Sequence, residues 1–428
     1  MFMKKLCYFV AFATFGLVSC QQEQDPINDV VKNEPVIFKA SIENLATRAV
    51  YDGGSLFWAE GDKIGVYADD NNYNDKNQPF TLIGSGGSKT GDFEWDNKND
   101  VSFSSEARVA FFPWNLPADK AMSDISSYNN VWKNSSGEIN MYFKLPNSYS
   151  DYTSGKMLTP LVAKLNSSSE DIQFYHAGAA VKVTISNLPA HTNYISMTAD
   201  GKQIYGDYHI NRNDIGANGV LVRDNATEDV TKNKVELNFT NSSAGEFTFI
   251  FPIPTVTNAK FSFEIKDVNN FPVWSGNTKS SVSYTLGHAE VLAMKPLEIT
   301  TYSTFTQTTG ATEGWGYVGS INSWQEFVNL PMKHDGKGHY IAKQKFAVGD
   351  KFKLRNGTGW NGLLDWYNVD QSKSKGVKND GTDNNNIEIT DADTYYIIFN
   401  STYNDNKIVV VPTSEWTNYS SISFPATE

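Results

Sequence analysis

The chemistry open to this chain is concentrated near its C-terminal end. Residues 314–324 read GWGYVGSINSW, and residues 351–368 read KFKLRNGTGWNGLLDWYN. Four of the ten tryptophans, Trp315, Trp324, Trp360 and Trp366, fall between positions 313 and 412. Several stand among glycines and asparagines, where the backbone is least able to bury them. In KFKLR, period-two alternation turns Phe352 and Leu354 inward and sets Lys351, Lys353 and Arg355 on the outer face, successive members about 7 Å apart. Indoles stack on the C–H faces of sugar rings, and Lys, Arg and Asn donate to sugar hydroxyls. Trp360 and Trp366 are therefore the expected stacking residues, with Lys353 and Arg355 as hydrogen-bond donors. Trp324 either joins them or packs over the adjoining hairpin. With 11 basic and 12 acidic residues, the region is nearly neutral and suits a neutral polysaccharide. The plainer alternative is that these rings fill the core of a small sandwich.

Other chemistry is thin. The only cysteines are Cys7 and Cys20, so disulfides, thiolate metal sites and a cysteine nucleophile are excluded from residue 21 onwards. There is no HExxH and no nucleophile elbow, and GSGGSKTG at 84–91 lacks the glycine before Lys89 that a phosphate loop needs. KNDGTDNNN at 378–386 misses the spacing of a calcium loop and reads as a solvated loop. His176 precedes an apolar strand and reads as a satisfied structural histidine. Carboxylates are plentiful, yet none is paired in a recognisable catalytic setting. A net charge of −12 argues against nucleic acid. The expectation is a non-catalytic binding protein with no cofactor and no metal.

The first 20 residues, MFMKKLCYFVAFATFGLVSC, carry a basic start and a short apolar run that ends in Leu17-Val18-Ser19-Cys20. This looks like a lipoprotein signal with Cys20 as the acylated first mature residue. The run is too short for a stable membrane span, so anchoring by acyl chains is expected. Glu23 and Asp25 directly after Cys20 lean towards the outer membrane and its exterior face.

Holding an aromatic site in place falls to strands. The composition is 13% aromatic with 31 glycines, and short alternating segments recur without a long helical period. In AAVKVTISNLP, Val181, Val183 and Ile185 share a face. Phe247, Phe249 and Phe251 share another, as do Phe261, Phe263 and Ile265. HYIAKQKFAVGDKFKLRN and TYYIIFN…KIVVVP read as hairpins. The expected fold is all-β: residues 36–160 and 161–299 as two sandwiches, 300–312 as a threonine-rich linker free of core residues, 313–412 as a small third sandwich, and 413–428 as a tail. Residues 21–35 form a polar tether, and 147–160 a polar link.

Two stretches carry a family likeness. LFWAEGDKIGVYA, ARVAFFPW and IQFYHAGAAVKVTISNLP, in that order, resemble the fimbrillin-like (Mfa-like) lipoproteins of Gram-negative anaerobes over residues 36–299. The resemblance implies tandem transthyretin-like β-sandwiches, surface display, and assembly with other fimbrial subunits by donor-strand exchange after cleavage behind an arginine. Arg48 in ENLATRAV is the matching position. A further domain after residue 300 departs from that pattern, since a polymerising subunit needs a free end. YVGSINSWQ…LPMKHDGKGHYIAKQKFAVGDKFKLRNGTGW is similar to the small immunoglobulin-like starch-binding modules of SusE/SusF-type outer-membrane lipoproteins. That resemblance implies glycan stacking at Trp360 and Trp366. The resulting expectation is a cell-surface glycan-binding lipoprotein, with a fimbrial structural or tip adhesin subunit as the alternative.

Overall fold

The computed structural model describes residues 36–43, 46–47, 57–68, 78–96, 107–114, 131–133, 136–156, 159–166, 171–216, 221–223, 227–278, 282–299, 302, 304–402 and 407–424. The leader with Cys20, the tether and Arg48 lie outside the described residues. Regular structure among the described residues is β-strand with short 3-10 turns.

The first apolar core is enclosed by a closed barrel rather than by a two-layer sandwich. Ile37–Ile42 pairs antiparallel with Thr90–Trp95 and parallel with Ile172–His176. The ring closes through Leu161–Lys164, Ala107–Phe112, Lys63–Ala68 and Gln78–Leu82. Two of its strands thus lie past position 160. Closure leaves no strand of the ring with an unpaired edge. Alternation points Phe38, Ala40 and Ile42 inward. Trp58 meets Phe93, Phe112 and Phe174 edge-on, with ring centroids 4.9, 5.4 and 5.5 Å away. The outward side chains Tyr67, Val109, Phe111 and Val162 pack with a separate sheet that contains Ile139–Leu145 and Gly206–Asn211.

A second body follows. Ala179–Leu188 pairs with Gly245–Ile253 and, in parallel, with Glu290–Ala293, to which Ala46–Thr47 adds. The other sheet runs Pro272–Asn277, Phe261–Asp267, Thr192–Ala199, Lys234–Phe239, Ser148–Tyr152. The expected inward sets are buried here: Val181, Val183 and Ile185, Phe249 and Phe251, Phe261, Phe263 and Ile265. Ser148–Tyr152 falls within the stretch read as a polar link; it is a strand because Tyr152 reaches the core and its hydroxyl binds across to Thr248 and Ile250.

The C-terminal region contains two five-stranded sheets. One runs Gln307–Thr308, Lys333–His334, His339–Phe346, Asp393–Asn400, Ile408–Pro412; the other Leu330–Pro331, Trp315–Gly319, Lys351–Asn356, Ile387–Ile389, Val377–Asn379. Tyr317, Phe352, Leu354, Ile387, Tyr395, Ile397, Phe399 and Val410 share one core. On the other side of the first sheet, Ile341, Tyr396, Ile398, Val409 and Val411 belong to the core of the second body. The runs YYIIF and IVVV do not alternate because both of their faces are covered. Residues 300–312 are correspondingly not free of core residues: Tyr302 and Phe305 are buried in that shared core. The expected tail is docked as well. Its 3-10 turn, Thr417–Ser421, buries Tyr419, whose hydroxyl donates to Asp267 and accepts from Asn269 Nδ2 at 3.1 Å.

Candidate functional site

The strand Lys351–Asn356 lies beside Trp315–Gly319, with Gly316 opposite Arg355 and Val318 opposite Lys353. Phe352 and Leu354 face the core as alternation requires, and Lys351, Lys353 and Arg355 take the other face. That face is not the open donor strip the sequence suggests. Residues 325–329 bond to Arg355, which is fully buried, and Lys353, whose ammonium lies by Asp365, is 9% exposed. Gly316 allows the close approach: a Cβ there would stand 2.7 Å from Asn329 Cβ. All three cations already have partners. Lys351 Nζ is 3.3 Å from Asp380 and 3.5 Å from Glu388, and Lys353 Nζ is 4.0 Å from Asp365. Arg355 donates through Nε to Asn329 Oδ1 and through Nη2 to the carbonyls of Gln325 (2.7 Å) and Val328 (3.1 Å). The correction has a simple cause: a strand's outer face is exposed only where nothing else crosses it.

Trp360 stands on the far side of that guanidinium. Its ring centroid is 4.8 Å from Arg355 Cζ, and the residue is 41% exposed. The glycine-rich loop carrying it turns back so that Leu364 bonds in both directions with Leu354, at 2.9 and 3.0 Å. Beyond it, Asp365 opens the 3-10 turn Trp366–Asn368, accepting from the Tyr367 N–H at 3.0 Å, while Asn368 Oδ1 accepts from the Asp365 N–H at 3.1 Å. This turn packs Trp366 against the core, half-buried, and leaves Tyr367 74% exposed. Trp324 is half-buried, in the left-handed region at φ 54°, and its N–H donates to Gly319 O at 2.9 Å. Phe327 and Val328, on the turn that Arg355 holds, are 64% and 40% exposed.

The structure therefore brings Trp360 and Arg355 into contact, sets Lys353 on Asp365, and turns Trp366 inward. Sequence reasoning missed Tyr367, Phe327 and Asn329. For Tyr367 a signal existed: D-W-Y-N is a capping pattern, and a cap fixes which neighbour points in. Nothing in the sequence marked residues 325–329 as the lid over Arg355.

Residues 378–386 are largely exposed as expected, with Lys378, Gly381, Thr382, Asp383 and Asn384 open to solvent, but they fold around one enclosed group. The Asp380 carboxylate accepts from the backbone N–H groups of Thr382 and Asn386, from Asn386 Nδ2 and from Lys351 Nζ. Burial pushes this carboxyl up, but those donors outweigh it and hold it well below the usual range. His176 is buried as expected yet not satisfied: both ring nitrogens lack a hydrogen-bond partner among the described residues. Burial lowers it to about 4, against the pull of Glu43. Among the described residues no group of three or more His, Cys, Asp or Glu side chains could hold a metal ion, and no helix is long and apolar enough to cross a membrane.

No family model and no curated protein matches the sequence. Among solved structures the chain is similar to SusF from Bacteroides thetaiotaomicron, at 10% identity and a TM-score of 0.20, over 89% of this chain and 77% of that one. A likeness at that level carries no argument about function.

Proposed function

We propose that this chain is a non-catalytic, cell-surface glycan-binding protein whose contacts are made by the region 313–412. The observation that carries the reading is Trp360: a large apolar ring kept exposed, on a loop, with its position fixed from beneath by a buried guanidinium. An indole held in this way, with one face on Arg355, offers its other face as a stacking surface. Tyr367 extends the exposed aromatic surface, while Trp366 supports the turn from the core side. Lys353 is tied to Asp365 and Arg355 is covered, so hydroxyl contacts fall to the asparagine-rich loops. A single site of this kind binds at about millimolar Kd, and many copies facing one polymer compensate by avidity. Lipid anchoring through Cys20 and display outside the outer membrane belong to the same reading.

The test is affinity electrophoresis of the full chain through gels containing soluble polysaccharides. Retardation by at least one neutral glycan is expected, with Trp360→Ala weakening it about tenfold, or about 1.4 kcal/mol. A folded chain that no glycan retards overturns the proposal. The alternative, a fimbrial structural or tip adhesin subunit, is favoured by one observation: Ile37–Ile42, which precedes Arg48, fills a slot between Thr90–Trp95 and Ile172–His176. Losing that strand would open a groove for a donated one. N-terminal sequencing of surface material that returns Ala49 supports this alternative.

A further inference from the structure

We infer that Arg355 is a positioning residue that makes the Trp360 ring and the 325–329 turn one unit, so that Phe327 and Trp360 are presented together. Three observations converge on this side chain. First, it is fully buried although nothing about its place on an outer strand face requires burial. Second, its hydrogen-bond acceptors are all neutral and all lie on one short segment: the carbonyls of Gln325 and Val328 and the side chain of Asn329. Third, Nη1 has no hydrogen-bond partner among the described residues, and the Trp360 ring lies against the guanidinium.

A buried cation normally has a carboxylate to offset its lost hydration. Here no carboxylate hydrogen-bonds the guanidinium; the offset comes from carbonyl dipoles on one side and an aromatic π-face on the other, with the charge of Glu326, on the same turn, acting without a direct bond. Neither half holds the charge alone. The turn is closed by carbonyls gathered onto one guanidinium, and the ring, on a glycine-rich loop, gains a fixed orientation from the same group. Asn329 completes the link, because its Nδ2 donates to Gly357 O at 2.7 Å, on the chain leading to Trp360. Arg355 also commits one face of the indole, which leaves only the opposite face for a ligand. Lysine cannot reproduce this arrangement, since one ammonium cannot match the planar fork that meets Asn329, Gln325 and Val328 together.

The last arm of the test rests on the glycan reading; the first two do not. Arg355→Met and Arg355→Lys are made in the full chain, each with and without Trp360→Phe, so that subtraction isolates the Trp360 fluorescence. In Arg355→Met, acrylamide quenching of that component should rise about twofold, and hydrogen exchange at 325–329 should speed about tenfold, with His339–Phe346 and Asp393–Asn400 unchanged. Arg355→Lys should fall between it and the parent chain in both measurements. Where Arg355→Met unfolds the region, seen as loss of protection in those two strands, Arg355→Lys decides by the same readouts. Unchanged quenching and unchanged exchange at 325–329 in a folded variant overturn the inference. Where the parent chain binds a glycan, affinity should drop about tenfold in Arg355→Met and less in Arg355→Lys, and equal binding by all three overturns it. Where the parent chain binds none, the glycan reading fails and the first two arms still decide for or against Arg355.

Discussion

At the residue scale, two buried titratable groups pull stability in opposite directions across mildly acid pH. His176 is held at about 4 by burial, below its ordinary value of 6.5. The folded chain therefore takes up this proton less readily than the unfolded one, and stability is lost as pH falls from about 6.5 towards 4. Asp267 is the reverse case. Burial raises its carboxyl to about 6, although Tyr419 and the N–H groups of Phe271 and Asn269 favour its charge. Its folded pKa lies above the unfolded one, so its contribution is complete below about 4 and lost as pH rises through about 6. Each effect is on the order of 3 kcal/mol. Asp267→Asn should abolish the rising-pH loss and leave a melting temperature that only falls on acidification below about 6.5; His176→Gln should do the opposite. Thermal melts at half-unit pH steps check both, and profiles that stay parallel to the parent chain's contradict the assignment. Neither behaviour was legible in the sequence. FYH looked like a packing motif, because residue type does not reveal whether burial leaves ring nitrogens without partners, and nothing in KDVNN marked Asp267 as a buried carboxyl.

At the element scale, the second C-terminal sheet depends on glycines that admit close neighbours. Gly319 has extended backbone at φ −173°, so its requirement is space and not conformation; a Cβ would lie 2.1 Å from Lys351 O and 2.9 Å from Phe352 Cα. Backbone cannot yield as a side chain can, and Gly319→Ala should cost about 3 kcal/mol, read as a lower denaturant midpoint at unchanged slope. A Cβ at Gly316 would likewise meet backbone, Leu330 O at 2.7 Å, but also Asn329 Cβ at 2.7 Å, so Gly316→Ala should in addition displace Asn329 and with it the turn over Arg355, which fast exchange at 325–329 would show. A Gly316→Ala chain exchanging like its parent contradicts that account. The strands themselves were readable: Phe352 and Leu354 go inward, and TYYIIFN…KIVVVP pairs as the expected hairpin. HYIAKQKFAVGDKFKLRN does not: His339–Phe346 and Lys351–Asn356 turn at Gly349-Asp350 but enter different sheets, so that turn joins two layers and not two neighbours. What could not be read was the layer above. Period two tells which side chains share a face, but the cover of 325–329 over Arg355 and the approach of Asp365 to Lys353 come from tertiary packing that alternation does not encode.

At the scale of the whole molecule, the region 313–412 does not end where its sandwich pattern ends. Ile341, Tyr396, Ile398, Val409 and Val411 turn their side chains into the neighbouring core, together with Tyr302, Phe305, Tyr419 and Ile422. Truncation after Pro412 removes Tyr419 and Ile422, each worth about 1.5–3 kcal/mol of burial, along with the bond to Asp267. Calorimetry should show the second body and the C-terminal region melting together at a lower temperature than in the full chain. Truncation without effect on melting contradicts the shared core. The non-alternating runs YYIIF and IVVV held the clue, since apolar residues on consecutive positions need cover on both faces.

The barrel has one more consequence, which concerns time. Its first strand is completed on one side by Ile172–His176, and Ser41 lies 132 positions from its register partner Gln173. A chain emerging from its N-terminus holds Ile37–Ile42 unmatched along that edge until the later strand arrives, and for that interval a chaperone or a second nascent chain competes for the same hydrogen bonds.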